Sequence, residues 1–228
     1  MLFRSGTGVG DLSFGQLARL DEVLLTHSHL DHVCGLALSL DTLFEIARHP
    51  LRVHATEATI DTLRQHLFNW KLWPDFTEIP NRDNPYLRFS NVMLDTAIHV
   101  GNRIITPVYA NHIVPAVGYA VGSDKKTLVF TGDTLGGEAL WRAVNTMADV
   151  HYIIIETAFP DSDEALAVLS RHLCPRLLKA ELAQLRLPAE VFITHLKPND
   201  GDRIMHEVKL QAAQWNPKRL QQSQVFEL

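Results

Sequence analysis

Four residues able to hold a divalent cation fall within six positions: His27, His29, Asp31 and His32, in the run His27-Ser-His-Leu-Asp-His32. Imidazole nitrogens and carboxylate oxygens are the ligand types of a borderline ion such as Zn²⁺. Alternate residues of an extended segment share a face, so a turn after a strand can aim such side chains at one point. Three imidazoles and a carboxylate packed away from water without partners would be costly, which argues against an ordinary core segment. More donors stand where later apolar runs end. His112 follows Ile104–Tyr109, Asp133 follows Leu128-Val-Phe-Thr-Gly132, and His195 follows Val191-Phe-Ile-Thr194. In open α/β architectures, site residues collect at strand ends of this kind. The seven divide into His27, His29 and His112 for one ion and Asp31, His32 and His195 for a second, with Asp133 able to bridge. Two ions held a few ångströms apart are a clamp for in-line displacement and acidify a shared water.

The elements that must position these residues are legible as short β-branched runs alternating with amphipathic patterns. Strands are expected at Glu22–Thr26, Leu51–Ala55, Arg103–Tyr109, Ala116–Val121, Thr127–Thr131, Tyr152–Glu156 and Glu190–Thr194. Helices are expected at Leu36–Arg48, Thr56–Asn69, Glu138–Thr146, Asp163–Leu169, Pro175–Leu187 and Asp202–Trp215, with Pro175 suited to a first turn. The stretch Trp70–Pro85, which carries Pro74, Pro80 and Pro85, reads as a surface loop or insertion. No linker or repeat divides the chain, so residues 1–228 are read as a single α/β layered domain.

Composition bounds the partners. Apolar residues make up 46% and charged residues 21%, which suits a chain with a sizeable core and excludes a disordered or fibrous protein. The balance of 21 Lys+Arg against 26 Asp+Glu, a net −5, offers no broad basic footprint for a long nucleic acid. No apolar run reaches the length of a membrane span, and the N-terminus lacks a secretory pattern, so a cytoplasmic protein is expected. The two cysteines, Cys34 and Cys174, are read as reduced, buried small hydrophobes. Twelve histidines are many for this length. His49, His54, His66, His99, His151 and His206 lack a nearby constellation and are read as surface or packing residues, and Asp21 and Glu22 as solvated.

The His27–His32 run, the Thr131-Gly-Asp-Thr134 motif and the late strand-end histidine resemble the metallo-β-lactamase superfamily, and within it the class II cyclic-nucleotide phosphodiesterases. Gly35 and Ser39 stand at the offsets of that family's signature. Ile155-Glu-Thr-Ala-Phe-Pro160 resembles its glutamate-bearing strand end, and Ser170-Arg-His-Leu-Cys-Pro175 and Ile193-Thr-His-Leu-Lys-Pro198 resemble its last two histidine motifs. The resemblance covers about residues 5–200. It implies an αββα sandwich with a dinuclear metal site at one edge. It also implies strands before a Gly-rich turn like Gly6-Thr-Gly-Val-Gly10, and almost nothing precedes that turn here. A truncated reading frame, a misassigned start or replacement of the missing strands by homodimerisation would each account for this. Exported relatives would make the compartment periplasmic if a leader were lost.

The activity implied is hydrolysis of a 3′,5′-cyclic nucleotide, cAMP or cGMP, to the nucleoside 5′-monophosphate. A hydroxide bridging two divalent ions near Asp133 and Asp31 would attack phosphorus. Zn²⁺ is expected first, and Mn²⁺ or Fe accept the same ligands. Asp31 could also orient or deprotonate the water. His172, which does not follow an apolar strand, is the expected proton donor to the leaving oxygen, oriented by Glu156. Lys197 could meet a phosphate oxygen, and Phe159 or the Trp70–Pro85 loop the base. Two other readings share most of the donor set. A tRNase Z-like nuclease would need a protruding basic arm, and a glyoxalase-type thioester or lactone hydrolase would not require His172 as an acid. A third reading is a binding-only member, whose sign would be lost ligands; none is lost here.

Overall fold

The computed structural model describes residues 2–3, 7–43 and 49–228. The chain resolves into two compact units, Met1–Met93 and Leu94–Leu228. The first is built on four strands, β1 (Leu2–Phe3), β2 (Glu22–Leu24), β3 (Leu51–Ala55) and β4 (Leu87–Asn91), paired in sequence order. All three pairings are parallel. Parallel neighbours cannot be joined by a tight hairpin and need crossovers. These carry α2 (Leu30–Leu43) between β2 and β3 and α3 (Glu57–His66) between β3 and β4, after a short α1 (Phe14–Leu17). Ser13 starts α1 with a reciprocal capping box to Gln16. Val23 and Leu25 from the β2 segment, Val53 of β3 and Leu87 of β4 pack with Val33, Leu36 and Leu40 of α2 and Ile60 and Leu63 of α3. The spacing 33, 36, 40 is the stripe of a helix with one face inward.

The second unit holds seven strands in the order β11-β10-β9-β8-β7-β6-β5. They are β5 (Ile98–Val100), β6 (Arg103–Ala110), β7 (Ala116–Gly122), β8 (Thr127–Phe130), β9 (Val150–Glu156), β10 (Glu190–Thr194) and β11 (Lys218–Arg219). Strands β5 to β8 are antiparallel neighbours and β8 to β11 parallel ones. The parallel half carries the helices: α4 (Glu138–Asn145) after β8, α5 (Glu164–Ser170) and α6 (Pro175–Leu182) after β9, and α7 (Gly201–Gln211) after β10. Period-two alternation divides the sheet's faces. Val129, Ile153, Ile155, Val191 and Ile193 pack with Leu140, Trp141 and Val144 of α4, Leu178 and Leu182 of α6, and Ile204 and Val208 of α7. Leu128, Phe130, Ile154 and Phe192 form a separate cluster, against which Leu220, Phe226 and Leu228 of the C-terminal segment pack.

One consequence of this topology matters most for chemistry. Strand β6 is antiparallel to β7, and β7 to β8, so β6 runs in the same sense as β8, β9 and β10. Their carboxyl ends therefore share one sheet edge.

The strands at Leu51–Ala55 and Glu190–Thr194 match the sequence expectation residue for residue, and the other five anticipated strands differ by a few terminal positions. Strands β1, β4, β5 and β11 were not anticipated, because two to five residues with polar interruptions carry almost no periodicity. Trp70–Pro85 contains neither helix nor strand, as expected of a loop. The helix expected at Leu36–Arg48 instead begins at Leu30 and is described to Leu43, with residues 44–48 outside the described part. Asp31 and His32 therefore stand on its first turn rather than on a strand extension. A carboxylate there is favoured by the helix dipole. Among the described residues, no helix is long and apolar enough to cross a membrane.

Candidate metal centre

In the first unit, the chain leaves β2 through Thr26, passes His27 and His29 in the connecting segment, and enters α2, whose first turn carries Asp31 and His32. His27 and His32 are fully buried, His29 is half-buried and Asp31 is exposed. The His27 and His32 rings lie 4.1 Å apart, and His27 Nε2 is 3.1 Å from His29 Nδ1. Asp31 Oδ2 lies 3.3 Å from His32 Nε2. Sequence reasoning passed over Thr26. Its buried hydroxyl is 3.0 Å from His27 Nδ1 and 3.2 Å from His32 Nδ1. A hydroxyl can donate one bond while accepting another, so one side chain orients both imidazoles through Nδ1. A threonine next to a histidine is too common a pair to stand out in a sequence.

In the second unit the shared edge gathers the ends of four strands. Asn111 and His112 follow β6, Thr131-Gly-Asp-Thr134 follows β8, Glu156 closes β9 and His195 follows β10. Gly132 and His195 have positive φ, 66° and 61°. The turn after β8 thus uses the residue that tolerates the left-handed region at no steric cost, while His195 holds that conformation against its side chain. His112 and Asp133 are buried, and one ligand atom from each of His112, Asp133 and His172 lies within 4.8 Å of the others. Asp133 Oδ2 is 3.5 Å from His195 Nε2.

His172 enters from the α5–α6 connection. Its ring stacks on His195 with centroids 5.2 Å apart and planes 10° from parallel, and meets the edge of His112 at 5.0 Å. Its Nδ1 is 2.7 Å from Glu156 Oε1. Glu156 is wholly buried and also accepts the Thr134 N–H at 3.1 Å and the Leu173 N–H at 3.3 Å. Burial pushes the Glu156 carboxyl above the usual range, against the opposing pull of His172 and the Thr134 amide. Burial by itself would lower His172, but the hydrogen bond and charge of Glu156, with the charge of Asp133, outweigh it and raise the imidazole. Both directions mean that the pair retains protons to higher pH than either group would alone.

Phe159 stands 5.8 Å from the His172 ring, and Lys197 Nζ lies 5.6 Å from the Phe159 ring centre. The remaining histidines mostly behave as ordinary residues. His151 faces its neighbour Asp149's carbonyl, and His49 pairs with Asp21 at 3.2 Å on the surface. Glu22 is a correction. Instead of being solvated it holds the buried His54 at 2.6 Å, because the parallel register of β2 and β3 sets the two strands side by side. Cys34 is a second correction: as a residue of α2 it is half-buried, and only Cys174 is buried.

These residues fit a divalent metal. The donors are imidazoles and carboxylates at strand and helix ends, and His27, His32 and His112 each have Nδ1 engaged by an oxygen. That is the outer hydrogen bonding which fixes the ring of a metal-binding histidine.

The fold and this donor set define a metallo-β-lactamase-fold protein. The chain aligns with the metallo-beta-lactamase fold protein YhfI from Bacillus subtilis with a TM-score of 0.75 at 17% identity, covering 99% of this chain and 87% of that one. It aligns with unliganded yeast PDE1 with a TM-score of 0.78 at 21% identity, covering 90% and 68%. In sequence the chain is similar to the class-II phosphodiesterases. Residues 13–102 match the family model described as cAMP phosphodiesterases class-II. A probable 3′,5′-cyclic-nucleotide phosphodiesterase of Yersinia pestis is 27% identical over 207 residues, covering 79% of this chain. The chain spans 58% of that relative's length.

Proposed function

We propose that residues 1–228 act as one hydrolase domain that converts a 3′,5′-cyclic nucleotide to the nucleoside 5′-monophosphate. The observation that carries this reading is the buried Glu156–His172 pair beside His112 and Asp133, in a chain whose residues 13–102 match the class-II family. We assign His27, His29, Asp31, His32, His112, Asp133 and His195 as ligands of two divalent ions, Zn²⁺ first, with Mn²⁺ or Fe able to use the same donors. When bound, such ions acidify a water and neutralise charge on the phosphate oxygens.

The protein's own residues supply the rest. Hydrolysis forms a bond from water oxygen to phosphorus and breaks the bond from phosphorus to O3′, whose leaving oxygen needs a proton. His172 is the donor in this reading. Its Nδ1 is committed to Glu156, so the proton to be given is on Nε2. Glu156 holds the ring's orientation and raises its proton affinity, while its own burial keeps water from competing for the bond. Asp31, the exposed carboxylate of the set, is our candidate to orient the attacking water. Lys197 and Phe159, beside the His172 ring, are candidates for contact with the phosphate and the base.

We place the protein in the cytoplasm on the strength of Cys34 and Cys174, both free thiols, and we keep a homodimer as its own-chain assembly. Equilibrium sedimentation tests that assembly. The function is tested by metal analysis followed by turnover of cAMP, cGMP, bis-p-nitrophenyl phosphate, a tRNA precursor and S-lactoylglutathione at one pH. Faster turnover of the tRNA precursor or the thioester than of both cyclic nucleotides would overturn the reading.

A further inference from the structure

Arg171 ends α5 in a left-handed conformation, φ 53° and ψ 51°. The His172 N–H returns to the Ala167 carbonyl at 2.9 Å and the Arg171 N–H to the Val168 carbonyl at 3.2 Å. These paired bonds make a Schellman turn, whose left-handed position usually belongs to glycine. Arginine holds that conformation against its own side chain, so something must hold it there.

Both ends of Arg171 supply the reason. Its carbonyl lies 3.2 Å from His112 Nδ1. A carbonyl oxygen only accepts, so Nδ1 carries the hydrogen and Nε2 is the nitrogen with the lone pair. Its guanidinium Nη1 donates to the His112 carbonyl at 2.9 Å and to Asn111 Oδ1 at 3.2 Å. One residue therefore grips the 111–112 segment from the ring, the backbone and the neighbouring amide.

The grip closes a circuit. The Asn111 N–H donates to Thr134 Oγ1 at 3.0 Å, and the Thr134 N–H donates to Glu156 Oε1 at 3.1 Å. Glu156 holds His172, the residue after Arg171. The ends of β6, β8 and β9 and the α5 turn are thus linked in one ring through Arg171, with Asp133 next to Thr134 in the chain.

We propose that Arg171 is a positioning residue that fixes His112 in its Nδ1–H tautomer, which makes Nε2 the nitrogen that would coordinate a metal. The proposal rests on the metal-site reading given above but not on the identity of the substrate. Metal-binding histidines are commonly oriented by an outer acceptor, and loss of such a partner typically costs roughly 10–100-fold in metal affinity. Here the acceptor is a backbone carbonyl, so the side chain acts by holding that carbonyl in place.

The test uses the full chain, ¹⁵N-labelled at histidine and stripped of metal. Long-range ¹H–¹⁵N spectra should show His112 as a single Nδ1–H tautomer. In Arg171→Gly, which suits the left-handed turn and removes the guanidinium with the rest of the side chain, His112 should become a mixture of tautomers. Zn²⁺ alone, titrated against a chromophoric chelator, should bind that variant roughly 10–100-fold more weakly. Arg171→Lys retains the charge with a single donor group and should fall between, and it carries the same test if the glycine variant does not fold. A single Nδ1–H tautomer together with unchanged Zn²⁺ affinity in the substituted protein would overturn the proposal. A tautomer shift and weakened Zn²⁺ binding in a protein inactive on cyclic nucleotides would uphold it while removing the phosphodiesterase reading.

Discussion

Glu156 Oε1 lies 2.7 Å from His172 Nδ1, with the carboxylate wholly buried and the imidazole nearly so. The pair's protonation is raised on both members. In the proposed role of proton donor, His172 keeps its proton until pH passes that raised value. Glu156→Gln keeps a hydrogen-bond acceptor and removes the charge that raises the imidazole. The high-pH limb of kcat should therefore shift to lower pH, with kcat down by roughly 10–100-fold and metal content unchanged. An unshifted pH profile would remove Glu156 from this role.

The same pair predicts how stability responds to pH in metal-free protein. Both shifts are upward, so the folded chain binds more protons than the unfolded chain and stability falls as pH rises. For His172 the stabilisation is complete below the ordinary histidine range and is lost as pH rises through the raised folded value. For Glu156 the loss begins above the ordinary carboxylate range. Urea midpoints measured across pH should fall more steeply in the unsubstituted protein than in Glu156→Gln.

His172 and Asp133 separate by metal retention. His172 shares a cluster with His112 and Asp133, so its role as donor rather than ligand needs a direct measurement. His172→Ala should keep its metal and lose roughly 10²–10⁴-fold in rate, the usual contribution of a general acid. Asp133→Ala should lose metal and activity together. Metal loss in the histidine variant would make His172 a ligand.

Gly118 of β7 ties the sheet to the site. A Cβ there would sit 2.5 Å from the Phe130 carbonyl oxygen and 2.6 Å from that of Thr131, both main-chain atoms at the end of β8. Gly118→Ala must push β7 from β8 just ahead of Asp133. It should cost about 1–3 kcal/mol, the range for overpacking, and weaken metal binding. Urea unfolding and chelator competition measure the two effects.

Burial pushes the Cys174 thiol up to about 11. Thiolate is the reactive form, so at pH 8 only about one molecule in a thousand would present it. A thiol reagent on the folded protein should label the half-buried Cys34 before Cys174, and both should react equally in denaturant. Equal labelling in the folded state would contradict the packing around Cys174.

The donor set was legible in the sequence because ligand chemistry is a property of residue type. His27-Ser-His-Leu-Asp-His32, and strand-end residues such as His112, Asp133 and His195, need no coordinates to be recognised, and seven of the strands have enough β-branched alternation to be read. Glu156 and His172 were found by resemblance, and the structure joins them in one buried bond. What lay beyond the sequence depends on contacts across long separations. The start of α2 at Leu30, the Thr26 hydroxyl between two imidazoles, and the Glu22–His54 pair follow from register and turn geometry. The grip of Arg171 on a histidine 59 positions earlier needs β6 and the α5 turn brought to one edge. Residue type determines which atoms can ligate or carry a proton. Only the tertiary structure decides which nitrogen of a ring is held by an outer oxygen, because that depends on the partner the fold brings to it.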